Sequence, residues 1–160
     1  DSAGAGLAAS LALLARDRNG PRIAFQNLMF PMLDDRTVTE ENPNPVTGEF
    51  VWTREYNRFG WRSLLGCEPG SEGVSAYAAP GRATDLTNLP PTWLGVGTLD
   101  LFLDENLRFA QALIRAGVAV EMNVWPGAYH GFNSDPQARV AQRAREQRQA
   151  WIAQFRPTAV

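Results

Sequence analysis

The sequence holds one cysteine, Cys67, and one histidine, His130. A single cysteine forms no internal disulfide and no cysteine-based metal site. A single histidine excludes any multi-histidine site, so no metal is expected. The lone thiol fits a reducing compartment, which favours the cytoplasm. No excess of positive charge is present either: 15 basic side chains stand against 17 acidic ones, a net charge of -2. That leaves no electrostatic footprint for nucleic acid. No apolar run approaches the roughly 20 residues that cross a bilayer. The chain has no initiator methionine and no signal-peptide pattern. It opens Asp1-Ser2-Ala3-Gly4 and passes at once into an apolar helix. We read it as the C-terminal part of one domain, cut inside a structural unit. Internal repeats and low-complexity linkers are missing as well.

What is present is the composition of an ordinary globular protein: 160 residues, 44% hydrophobic and 20% charged, with five tryptophans. Residues 2 to 16, SAGAGLAASLALLAR, carry Leu7, Leu11 and Leu14 at helical spacing among Ala and Gly. Such a helix is apolar nearly all round and is expected to be buried against a sheet. Asn19-Gly20-Pro21 ends it. Residues 22 to 30, RIAFQNLMF, read as a strand covered on both faces. From Leu33 to Gly73 periodicity weakens, with a short helix between Arg54 and Leu65; this stretch resembles a connection or lid carrying Trp52, Tyr56 and Trp61. Residues 92 to 98 read as a second strand. A helix follows, with Leu103, Leu107, Ala110 and Ile114 inward and Gly117 at its stop. Residues 118 to 124 alternate as a third strand. The last helix starts near Asp135-Pro136 and runs to about Phe155, with Val140, Ala144, Trp151 and Phe155 inward. Strands alternating with helices predict an α/β fold with a mostly parallel sheet and flanking helices. Sites in such sheets lie beyond the carboxyl ends of the strands.

Three residues stand where chemistry is expected. Ser2-Ala3-Gly4 supplies the last three positions of the G-x-S-x-G elbow, with Asp1 at the first x. There a serine sits in a strained turn, and the helix N-terminus presents free N–H groups to a developing oxyanion. The N–H of Ala3 is one such donor. Equally, Ser2 is a good helix N-cap, and the tetrapeptide alone does not choose between the two roles. Asp100 follows the second strand at its carboxyl end, where a carboxylate can hold a histidine tautomer; it also suits a helix cap. Asp104 and Glu105 fall in the first turn of the following helix, where the dipole favours negative charge, and are assigned to structure. His130 lies in PGAYHGFN between glycines that free the backbone. A lone histidine is often a bystander, but a serine nucleophile needs a base near neutral pH, and this is the one on offer. Together the three follow the order Ser, Asp, His, that of the α/β hydrolases. They are expected to converge at one sheet edge, His130 within about 2.6–3.2 Å of both partners.

The sequence resembles the hormone-sensitive-lipase-like branch of the α/β hydrolases, a group of carboxylesterases. DSAGAG resembles the elbow G-D-S-A-G-G, with Ala5 in place of the last glycine. SAYAAPGRATDLTNLPPTWLGVGTLDLFLDEN resembles the family's approach to its acidic residue, here Asp100. GVAVEMNVWPGAYHGFN resembles the segment bearing the catalytic histidine, here His130. LMFPMLDDRT resembles the strand after the elbow helix. The family's H-G-G oxyanion loop, first strands and N-terminal cap are absent.

The resemblance implies a partial α/β-hydrolase fold and hydrolysis of short or medium acyl esters through an acyl-enzyme. Ser2, Asp100 and His130 are the implied triad, Ala3 an oxyanion donor, and a small-molecule ester the partner; no cofactor is implied. Phe102 and Tyr129 flank the triad and are expected to line the pocket, with Trp52 and Trp61 as further lining residues. The isolated 160 residues are expected to be aggregation-prone and poorly active. The alternatives are a peptidase or amidase of the same fold, a non-catalytic ligand receptor on this scaffold, and an inactive fragment. Oligomeric state, acyl chain and alcohol are left open.

Overall fold

The computed structural model describes residues 1–155. Three parallel strands, β1 (Gln26–Met29), β2 (Thr92–Gly97) and β3 (Val120–Trp125), lie side by side in chain order. Four helices pack around them: α1 (Ser2–Asp17), α2 (Arg54–Leu65), α3 (Leu103–Arg115) and α4 (Arg139–Ala153). Alternate strand residues face opposite ways, so the sheet has two cores. On one face Leu28 and Leu94 meet Ala5, Ala9 and Leu13 of α1 and Phe109 and Leu113 of α3. On the other, Met29, Trp93 and Trp125 meet Ala144 and Trp151 of α4. A third cluster, with Met32, Trp61, Leu101 and Phe102, covers the carboxyl ends of the strands.

The buried face of α1 is made of small residues, and this lets helix and sheet touch backbone to backbone. A Cβ on Gly6 would stand 2.0 Å from the carbonyl oxygen of Met32. Leu7 and Leu11, expected inside, are 54% and 58% exposed. Such a close approach leaves no room for leucine on that face near Gly6. The helix ends as expected: Asn19 is left-handed (φ 50°), and Gly20 N–H returns to the Ala15 carbonyl at 2.7 Å.

Other expectations are corrected. Residues 22–25 are not strand, because β1 pairs only from Gln26 opposite Thr92, and Pro90 and Pro91 precede the partner. A proline has no N–H for a ladder. The last helix begins at Arg139; Asp135 instead accepts from Gln137 N–H at 2.9 Å in a turn ahead of it. Its inner residues are as expected, Ala144 and Trp151 buried and Val140 and Phe155 packed against them. In α3 the buried residues are Glu105, Asn106, Phe109, Ala110 and Leu113, while Leu107 and Ile114 are 43% and 59% exposed. The helix is rotated from the expected stripe because Glu105 and Asn106 make buried hydrogen bonds.

Two glycines of the elbow region should therefore respond oppositely to alanine. Gly6→Ala forces the helix off Met32 and should lower the unfolding free energy by about 1–3 kcal/mol, the range of overpacked sites. A Cβ on Gly4 meets nothing within 4 Å, and Gly4→Ala should raise it by up to ~1 kcal/mol through helix propensity. Urea unfolding followed by circular dichroism compares the two, and equal responses would contradict the contact.

Candidate functional site

Each element that reaches the carboxyl edge of the sheet delivers one side chain there. Ser2 opens α1 with φ 55°, a left-handed conformation, and Met32 N–H donates to its carbonyl at 3.2 Å. Its hydroxyl caps no amide; Ser2 Oγ lies 2.9 Å from His130 Nε2. The loop after β2 crosses under the loop after β3: Thr98 N–H donates to the Trp125 carbonyl at 3.0 Å and Leu99 N–H to that of Ala128 at 2.9 Å. A Cβ on Gly97 would sit 2.1 Å from the Ala128 oxygen. This crossing sets His130 beside Asp100, whose Oδ2 is 2.9 Å from His130 Nδ1. Asp100 is fully buried, and its Oδ1 accepts from Phe102 N–H at 2.9 Å. One carboxylate oxygen thus serves the turn before α3 and the other the imidazole. Both distances fall within the expected range.

Aromatic rings enclose the imidazole. Phe102 and Phe30 meet it edge-on, with centroids at 5.1 and 4.8 Å, and Trp52 lies at 6.0 Å. Phe102, expected in the pocket wall, is wholly buried behind His130 and supports the ring instead. Tyr129 is 40% exposed and lies against Phe50, the two rings tilted by 46° with centroids 6.0 Å apart. Neither Phe30 nor Phe50 was singled out from the sequence: Phe30 stands in the LMFPMLDDRT segment, which pointed only to a strand, and Phe50 stands in no motif.

Backbone strain gathers here. Among the described residues, those with positive φ other than Gly and Asn are Ser2, Phe30 (35°) and Val51 (62°). A left-handed residue with a Cβ costs roughly 1–2 kcal/mol. Trp52 N–H donates to the Phe50 carbonyl at 2.7 Å, so Val51 centres a γ-turn of the rare positive-φ kind. That turn aims Phe50 at Tyr129 and Trp52 at His130.

An apolar cavity of about 140 Å³ opens beside Ala3. Gly6, Met32, Trp52, Gly60 and Trp61 line it; Trp61 is almost fully buried in its floor. Ala3 lies in the first turn of α1, where amides have no intrahelical acceptor. A larger cavity, about 640 Å³, lies at the amino ends of the strands between Asn19–Ala24 and Asn88–Pro91 and touches none of the three residues. No group of three or more His, Cys, Asp or Glu side chains suits a metal among the described residues. No helix there is long and apolar enough to cross a membrane.

Glu105 sits beneath the site. Its Oε1 accepts from Leu33 N–H at 2.6 Å and Asp34 N–H at 3.3 Å, and Oε2 is hydrogen-bonded to Thr37 Oγ1. Burial raises its pKa to about 8, against the hydrogen bonds from Leu33 and Thr37 and with some help from the charge of Asp34. Glu105 is thus structural, as expected, but as a buried neutral acid and not as a partner of the helix dipole.

With this geometry in hand, the chain is seen to match the family model described as alpha/beta hydrolase fold over residues 1–134. It belongs to that family. The esterase LipI of Mycobacterium tuberculosis is 33% identical over 135 residues, which cover 82% of this chain and 41% of the relative. Carboxylesterase NlhH of the same organism is 34% identical over 142 residues, with the same coverages. Among solved structures, Bacterial Heroin Esterase superposes with a TM-score of 0.83 at 39% identity, over 92% of this chain and 47% of that one. Esterase LipW from Mycobacterium marinum gives 0.80 at 38%, over 98% and 48%. The chain spans about two fifths of those curated relatives and about half of those solved chains.

Glu105 makes a pH prediction. Its folded pKa, about 8, is above the unfolded value of 4.5, so the folded state holds the proton longer. Its stabilisation is complete below pH 4.5 and is lost as pH rises to about 8, at up to ~1.4 kcal/mol per pH unit. Glu105→Gln should remove this slope. Urea unfolding at pH 5, 6, 7 and 8 reads it, and parallel profiles for the two proteins would refute the assignment.

Proposed function

We propose that in the whole protein this chain supplies the catalytic triad of a carboxylic ester hydrolase. The hydrogen-bonded line from Ser2 Oγ through His130 to Asp100 carries the reading. Ser2 Oγ attacks the ester carbonyl while His130 Nε2 takes its proton. Asp100 accepts from His130 Nδ1 and stabilises the imidazolium. The N–H of Ala3 donates to the oxyanion. His130 then protonates the departing alcohol, leaving an acyl-serine. Water, deprotonated by the same imidazole, releases the acid. The names of the similar proteins support esters as the substrate class.

The acyl group occupies the cavity beside Ala3. Its size is close to that of a ~150 Å³ cavity that takes benzene, so acyl groups of about six carbons fill it. Tyr129 and Phe50 lie outside that cavity and are assigned to the alcohol.

Hydrolysis of p-nitrophenyl butyrate by the whole protein should fall by several orders of magnitude in Ser2→Ala and in His130→Ala, and severely in Asp100→Asn. Asp104→Asn should act on stability alone. Turnover lost in folded Asp104→Asn but kept in Asp100→Asn would overturn the choice of acid. A matched anilide cleaved faster than the ester would favour the amidase reading.

Gly60 tests the acyl pocket. Its Cβ position lies 3.4 Å from the Trp52 ring and 3.9 Å from Met32 Cε. Valine there should lower the hexanoate-to-acetate ratio of kcat/KM by about 10-fold, near 1.4 kcal/mol for the lost space. An unchanged ratio would move the acyl group elsewhere.

A further inference from the structure

Helix α3 starts three residues after Asp100 and carries two polar side chains that a core helix has no packing reason to bury. Glu105 takes the amides of Leu33 and Asp34, and Asn106 Nδ2 donates to the Pro31 carbonyl at 2.8 Å. Between these anchors lies Met32, whose N–H donates to the carbonyl of Ser2. The same helix is tied to the acid, since Leu103 N–H donates to the Asp100 carbonyl at 3.1 Å. One rigid element therefore grips both ends of the line that runs from acid to nucleophile. We propose that Glu105 and Asn106 are positioning residues, which fix Pro31–Asp34 and through it the carbonyl of Ser2, so that Ser2 Oγ stays in line with His130. This rests on the reading of Ser2 as nucleophile.

Shape alone does not explain the pair. A leucine fills the volume of Glu105 but leaves two buried N–H groups without acceptors, at about 1–3 kcal/mol each. Hydrogen bonds also fix direction, which packing does not, and a 1 Å error in a reacting group can cost about 10²-fold in rate. Glu105 satisfies its neighbours: Oε1 accepts the two amides and Oε2 accepts from the Thr37 hydroxyl. Ionised, it has no cation of its own among the described residues. Asp34 is paired with Arg36 at 2.7 Å, Arg108 with Glu40 at 2.7 Å, and Asp35 with Arg82 at 2.6 Å. Asp104, the neighbouring acid on α3, is half-buried. A small cavity bordered by Asp34, Arg36 and Arg108 leads to Glu105 and gives its proton a way out. Loss of that proton sets a buried charge beside Asp34, and the cost of keeping that charge from water favours conformations in which Glu105 leaves the loop.

The test compares wild type, Glu105→Gln, Glu105→Asp and Asn106→Ala in the whole protein with p-nitrophenyl butyrate between pH 6 and 10. Glutamine keeps the acceptor for both amides and cannot ionise. It should hold kcat within about threefold at pH 7 and abolish the fall in kcat expected of wild type above pH 8. Aspartate is one methylene too short. With a native near-ultraviolet circular dichroism spectrum, it should lose about 10–100-fold in kcat with little change in KM. Asn106→Ala should lose about tenfold in kcat and carries the comparison if the aspartate variant does not fold. Amide exchange at Leu33 and Asp34 in a Ser2→Ala background reads the clamp without catalysis, and should quicken in Glu105→Asp. Folded variants with wild-type kcat, losses confined to KM, or a glutamine variant with the wild-type alkaline limb would each overturn the proposal. If Ser2→Ala itself still hydrolyses the ester, the triad reading fails, whatever the exchange at Leu33 shows.

Discussion

The carbonyl oxygen of Met32 stands so near Gly6 that any side chain there would collide with it. This approach of helix backbone to loop backbone sets the depth at which α1 lies on the sheet. Once α1 is that close, Met32 N–H reaches the carbonyl of Ser2, and the first turn of the helix is fixed from outside its own hydrogen bonds. The left-handed serine depends on that support, because strained residues persist only where the surroundings over-determine them. The small residues Ala5, Ala9 and Ala12 along the same face keep the approach open over several turns. Bulk enters this face further along the helix, at Leu13.

Much of this was legible in the sequence. Short elements with clear punctuation read well: α2 occupies the expected Arg54–Leu65, and Gly117 ends α3 with φ 80°. The order Ser, Asp, His placed three distant residues at one edge because a parallel sheet sends every strand's carboxyl end the same way. What misled was the assumption that polar residues face out. Leu107 and Ile114 have the spacing of an inner stripe, yet Glu105 and Asn106 take the inside because loop amides need partners there. Periodicity carries no information about the hydrogen-bonding needs of a loop 70 residues away. Residues 22–25 failed as strand for a similar reason, since pairing depends on where the partner's prolines fall.

The strain at Ser2, Phe30 and Val51 belongs to the same economy of distance. Each bends the chain at the rim so that a neighbouring or own side chain turns toward His130. None of these bends has a glycine to announce it. The sheet and its two cores must hold them in place, so the best-packed part of the molecule stabilises its least relaxed part.

The line between Ser2 and His130 joins residues 128 positions apart. A ribosome adding about 5–20 residues per second needs on the order of ten seconds between the two. Throughout that time Ser2 is made but lacks its hydrogen-bond partner, because His130 does not yet exist. The loop after β2, with Asp100, comes before the histidine as well. On the roles proposed for Ser2 and His130, a nascent chain carries the serine in an inert form, and reactivity arrives with β3 and the loop after it. Closing so long a loop carries an entropic penalty that grows only as the logarithm of its length, and the packing of β3 against β2 brings the two ends together.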